Sequence, residues 1–197
     1  MTRLGTLMIA AALVALVAAC GSSPPVRYYG LEPAQSAAET SGDASVIVAL
    51  GPLRIPEYLQ RSQIVTRSGG AERVVDDFSR WAEPLDEAIH SVVASNVDSL
   101  LDEVAVIAYP YIVGVAADRW VVGHIERFDA DRQGNVQLSV QWGILDKERK
   151  NLVIPRRSRY DARATPGADA EAMVQAMNTV LAQFSRDIAN EVKTTMR

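Results

Sequence analysis

One cysteine and two histidines stand among the 197 residues. A single cysteine allows no internal disulfide, so the folded part is held by its core alone. His90 and His124 have neither a cysteine nor another histidine near them in the chain, which leaves no metal-ligating set of the usual kind. No G-x-S-x-G, P-loop or G-x-G-x-x-G occurs, and no serine sits in a nucleophile context. We therefore expect no enzyme and no cofactor. Basic side chains number 20 against 24 acidic ones, which excludes a nucleic-acid binder by bulk charge. The one long apolar run, Leu4 to Val17, has about 14 residues. A spanning helix needs roughly 20, so the run is too short for one.

That run has another use. Arg3 precedes it, and Val17-Ala18-Ala19-Cys20 follows it, ahead of Gly21-Ser22-Ser23-Pro24-Pro25. A charged start, an apolar stretch and small residues before a cut site make an export signal. Here the residue after the cut is the chain's only cysteine. This is the pattern of a bacterial lipobox, with residues 1–19 as lipoprotein signal, Cys20 as the lipidated mature N-terminus and 20–25 as a lipidated tether. Lipidation accounts for both the presence and the place of a thiol that is otherwise unexplained. Gly21 rather than Asp follows Cys20, which fits retention at the outer membrane. Arg3 leaves with the signal, so the mature chain carries 19 basic and 24 acidic side chains, a net charge of −5. Its hold on a membrane would come from the lipid rather than from a basic surface.

The remaining residues, 26–197, fit a single domain with a core of useful size. Val26 to Leu31 and Ser45 to Leu50 read as short strands, the second ended by Gly51-Pro52. Gln63 to Arg67 and Glu72 to Val75 flank Ser68-Gly69-Gly70, a hairpin signal. Pro84 opens a helix to about Leu101, with Leu85, Ile89, Val92, Val93 and Val97 on one stripe. Val104 to Tyr109 reads as a strand, and 119–129 with 135–146 as a long hairpin. In its second arm Val136, Leu138, Val140, Trp142 and Ile144 alternate with polar or small residues, the mark of a half-buried strand. Leu152 to Arg163 is a further strand. A last helix opens near Asp169, with Met173, Met177, Val180, Leu181, Phe184, Ile188 and Val192 as its stripe. The order predicts an α+β fold: a mainly antiparallel sheet with two amphipathic helices packed on one face.

Two charged clusters invite a binding role. The pairs Asp76-Asp77 and Asp129/Asp131 are too sparse for a calcium loop and read as solvated turns. Arg156, Arg157, Arg159 and Arg163 lie on one strand, with 157, 159 and 163 sharing a face. Arg157 and Arg159 are candidates for contact with an anion. The plainer alternative is an edge strand protected by charge. Separately, Val106, Ile107, Tyr109, Tyr111 and Ile112 offer more apolar surface than a short strand needs, which points to a subunit contact.

One pattern is more specific. Pro56, Tyr58, Leu59, Arg61, Gln63, Ile64, Val65 and Arg67 form P-x-Y-L-x-R-x-Q-I-V-x-R after a strand ending in Gly-Pro. Trp81, Glu83, Pro84 and Leu85 then form W-x-E-P-L at the start of a helix. With the lipobox, this resembles the ABC-type transport auxiliary lipoprotein family, the PqiC- or YmbA-like lipoproteins. The resemblance covers essentially the mature chain. It implies an accessory or docking component of an MCE-type system that moves phospholipids between inner and outer membranes. It further implies a lipid-anchored place on the periplasmic face of the outer membrane, an MCE-domain protein as partner, and a homo-oligomeric ring. The residues themselves also admit a fold role: Pro56 fixes an extended backbone, Tyr58 and Leu59 cover a core edge, and Glu83 lies near the positive end of a helix dipole.

The competing reading is a structural envelope lipoprotein regulating another periplasmic machine, such as a peptidoglycan synthase. Such proteins need a long tether, and this one is short.

Overall fold

A computed structural model describes residues 24–35, 44–111, 114, 116–165 and 169–196. The strands are β1 (Arg27–Tyr29), β2 (Val46–Arg54), β3 (Gln63–Arg67), β4 (Arg73–Trp81), β5 (Val104–Ala108), β6 (Arg119–Asp131), β7 (Asn135–Leu145) and β8 (Leu152–Arg163). The helices are α1 (Leu85–Asp98) and α2 (Ala170–Thr195). A 3-10 turn, Glu57–Leu59, lies between β2 and β3. The signal, Cys20 and the start of the tether lie outside the described residues, as does Ile112.

All eight strands form one sheet, and β6 is its junction. One edge of β6 takes β7 along its length, from Trp120 beside Leu145 to Ala130 beside Val136. The other edge takes two strands in succession. β2 pairs with Arg119 to His124, and β3 pairs with Ala130 and Asp131. Between them the chain steps out of the sheet. Pro56 holds φ −59° and ψ 147°, an extended conformation that its ring favours, and the 3-10 turn follows. From this fork, β2 continues to β5, and β3 continues to β4 and β1.

The expectation of a mainly antiparallel sheet is corrected here. The two hairpins read from the sequence, β3–β4 and β6–β7, are antiparallel, and so is the β7–β8 pairing. Four others, β1–β4, β2–β5, β2–β6 and β3–β6, are parallel. Parallel neighbours need a long crossover. Here the hairpin and α1 supply it between β2 and β5, and no local signal marks that pairing. β2 also runs past Gly51-Pro52 to Arg54, because a register shift between Leu50 and Leu53 absorbs the interruption. Gly51 has φ +110° and lies so close to His90 and Tyr109 that a Cβ would meet both.

The helices form as their stripes predict. Pro84 precedes α1, Asp86 and Glu87 occupy its first turn, and Leu85, Ile89, Val92, Val93 and Val97 are buried. In α2 the Asp169 side chain accepts a hydrogen bond from the Ala172 amide at 3.1 Å, an N-cap. Phe184 packs edge-on to Trp142, 5.6 Å between ring centres, and lies 5.9 Å from Tyr160. The two helices touch each other and cover the sheet, and a single cluster of buried residues joins all these elements. On β7 the predicted inward set, Val136 to Ile144, is buried.

Candidate functional site

The motif residues divide into two groups by burial. Leu59, Ile64, Val65, Trp81 and Leu85 are core residues. Tyr58 and Arg67 are half-buried and converge on Asp129 of β6, which is fully buried. The Tyr58 hydroxyl donates to Asp129 Oδ2 at 3.0 Å. Arg67 Nε meets Asp129 Oδ1 at 2.6 Å, and Arg127 Nε reaches the same oxygen at 3.2 Å. Arg127 also donates to Gln137 Oε1, and Gln137 donates to Asp161 at 3.1 Å. A buried carboxylate survives only when paired and hydrogen-bonded, and Asp129 has three donors. Burial first, then the Asp129 charge and hydrogen bond, push the Tyr58 hydroxyl from 10.0 up to about 12. The Arg73 guanidinium, 5.2 Å over the Tyr58 ring, opposes this.

Asp129 is therefore not the solvated turn residue expected from its sequence. A register shift between Ile125 and Arg127 changes which side chains face inward. Asp131 does behave as a turn residue, accepting from the amides of Gln133 and Asn135, both at 2.9 Å. Sequence reasoning missed Asp129, Arg127 and Gln137 as a group. The available signal was an aspartate inside an otherwise apolar strand.

The second group is exposed. Arg61, Glu83 and Pro84 collect around an open cleft of about 530 Å³, beside Trp81 and Leu85. Ser62 and Trp81 are tied across it by a backbone bond of 2.7 Å. Arg61 and Glu83 make no ion pair among the described residues. Gln63 and Pro56 lie half-buried between the two groups. A cleft with apolar flooring and a charge of each sign suits a polypeptide segment better than an acyl chain.

Arg157 and Arg159 are exposed on the outer face of β8, as read. Arg157 is paired with Glu126 at 2.6 Å, and Arg159 with Asp161 at 3.0 Å. Arg159 lines a groove of about 610 Å³ with Arg67, Arg127 and Arg163, and Arg157 does not. Carboxylates already partner three of those four arginines, so the groove is largely neutralised within itself. On the other face, Arg156 reaches Glu191 of α2 at 2.6 Å. The Val106–Tyr111 part of the expected contact surface is partly spent inside the molecule. Tyr111 meets Trp120 edge-on at 5.3 Å and Tyr109 edge-on at 5.4 Å, while Tyr109 remains exposed.

His90 is buried, and its Nε2 accepts from the Leu53 amide at 2.7 Å. Burial holds its pKa below the ordinary 6.5, against the pull of Asp86 and Glu87. No group of three potential metal ligands occurs among the described residues.

A family model described as the ABC-type transport auxiliary lipoprotein component matches residues 29–189. An Escherichia coli protein named intermembrane transport lipoprotein PqiC is 25% identical over 168 residues, 85% of this chain and 86% of its own length. A crystal structure of an uncharacterized protein superposes with TM-score 0.72 at 20% identity, covering 86% of this chain and 99% of that one. A Xanthomonas campestris protein superposes at 0.66 with 16% identity, over 83% and 93% of the two chains. These two share the fold.

Proposed function

The chain belongs to the ABC-type transport auxiliary lipoprotein family, and from that premise we propose that it is an outer-membrane-anchored periplasmic lipoprotein that docks an MCE-domain protein of a phospholipid-transport system. Cys20 carries the lipid, the short tether keeps the domain at the membrane, and the chain works as a homo-oligomeric ring. The observation that carries the docking role is the sorting of the motif. Its buried members build the fold and the Asp129 cluster, while Arg61, Glu83 and Pro84 are exposed around one cleft. Exposed charged residues without an internal partner are free to meet another chain. The cleft is the surface assigned to the partner.

The test is a crosslinked pull-down of the full-length lipoprotein from cell envelopes, with Cys20→Ala beside it. An MCE-domain protein should be recovered with the native chain, and lost or mislocalised with the variant. Recovery of cell-wall synthases in its place would move the function to the regulatory reading, with the family likeness describing the fold alone.

A further inference from the structure

Seven large apolar side chains are exposed among the described residues, and three of them stand together. β1 runs parallel to β4 with Arg27 beside Ser79 and Tyr28 beside Arg80. That register sets Val26 next to Phe78, on the same face of the ladder as Tyr28. The opposite face carries Tyr29, packed against the core, and buried Trp81. Tyr28 is 65% exposed, the most of the seven, with Phe78 at 42% and Val26 at 41%. Tyr28 has no hydrogen-bond or stacking partner among the described residues. The fold leaves these groups in the open, at an edge strand.

Their place in the chain says what meets them. Val26 lies six residues after Cys20, and six residues span at most about 20 Å when fully extended. A lipid on Cys20 therefore brings this edge, before any other part of the domain, to the bilayer surface. The side chains suit that surface. Tyrosine places an apolar ring among lipid tails and its hydroxyl among headgroups, and phenylalanine and valine add apolar area. Arg80, paired with Tyr28, lies on the face of the patch, where lipid phosphates would lie.

We propose that Val26, Tyr28 and Phe78 form a membrane seat: they rest in the headgroup layer of the bilayer that holds the Cys20 lipid, and they fix how the domain faces the periplasm. This rests on the reading of Cys20 as the lipidated residue. A single acyl chain anchors weakly and a second contact strengthens it. In a multiply acylated protein the seat adds orientation rather than affinity. An anchor alone leaves the domain free to turn about its tether, whereas a seated domain holds its cleft in one direction.

The sulfur of Cys20 is blocked when lipidated, so a cysteine introduced elsewhere is the chain's single reactive thiol. Full-length Tyr28→Cys, Phe78→Cys and Glu148→Cys proteins, the last on the β7–β8 turn, would carry an environment-sensitive fluorophore. They would be reconstituted into vesicles of phosphatidylethanolamine and phosphatidylglycerol, and flotation would report anchoring separately. The expected result is blue-shifted emission at positions 28 and 78, most of it lost when the lipids carry brominated acyl chains, with no loss at 148. Protein that floats but shows the same solvent-like emission at all three positions overturns the seat and leaves the anchor standing. Protein that does not float removes the anchor, and the seat with it. A crosslink between two copies through position 28, without quenching by lipid, assigns the patch to a subunit contact and also overturns the proposal.

Discussion

Tyr58 and Asp129 are 71 positions apart in sequence and meet through a 3.0 Å hydrogen bond. Tyr58 belongs to the segment that steps out of the sheet between β2 and β3, and Asp129 lies near the end of β6. The bond pins the detour back onto the strand it leaves. Arg67, at the end of β3, closes the same loop from the other side through the same carboxylate.

Removing one donor to a buried carboxylate costs more than an ordinary hydrogen bond. Tyr58→Phe should lower stability by about 1.5–3 kcal/mol, and Asp129→Ala by about 3–5 kcal/mol, because it leaves Arg67 and Arg127 uncompensated. Urea denaturation of the two single variants and the double variant measures this. The Tyr58→Phe penalty should largely vanish in the Asp129→Ala background. Simple additivity would mean that the bond contributes nothing.

Alkaline stability follows from the same hydroxyl. Its folded pKa lies at about 12, against 10.0 for the ordinary group. The folded state then holds its proton where the unfolded state releases it. The stabilisation is complete below pH 10 and declines as pH rises toward 12. Unfolding followed against pH should show that decline, shallower in Tyr58→Phe than in the native chain. Equal slopes would place the effect in other tyrosines, Tyr111 among them, whose pKa burial also raises to about 12.

Arg61 and Glu83 are exposed, so reversing their charges should leave the fold alone. Arg61→Glu should melt within a degree or two of the native protein, because surface changes typically cost less than about 0.5 kcal/mol, and Glu83→Arg slightly lower, because it sets a cation at the positive end of the α1 dipole at a cost of about 0.3–1 kcal/mol. Both should lose most of the partner in the pull-down. Full recovery of partner by both variants would remove the cleft from the docking role.

Gly143 sits where β8 comes close to β7. A Cβ there would run into the Ile154 carbonyl oxygen and the Leu152 side chain. Gly143→Val should destabilise by about 1–3 kcal/mol through overpacking. Thermal melts measure this, and hydrogen exchange should localise the loosening to β8.

Most elements were legible because their signals are local. The stripes of α1 and α2, the β6–β7 hairpin and the alternation of Val136 to Ile144 are each encoded within a dozen or so neighbouring residues. The parallel pairings were not legible. β2 meets β5 and β6 across the hairpin and α1, and no spacing along the chain reports that. Asp129 was misread for a related reason. Next to Asp131 and the Gly134 turn it resembles a solvated acid, and only the arrival of Tyr58 and Arg67 from another part of the chain makes it a buried one. The division of the motif positions into buried and exposed was not legible either, because Arg61 and Arg67 are the same residue type in the same segment.

Without β6, the described sheet is three separate pieces, β1-β4-β3, β2-β5 and β7-β8. The joining strand begins only at Arg119, beyond the midpoint of the chain. While it emerges, the first half can therefore form only these partial sheets, and β2 and β3 keep open the edges that β6 will fill. Distant pairings of this kind form slowly, because the loop must close before any contact rewards it. A polypeptide threaded through a membrane before folding benefits from such a delay, since an N-terminal half that cannot close into one sheet early is less able to jam on the way out.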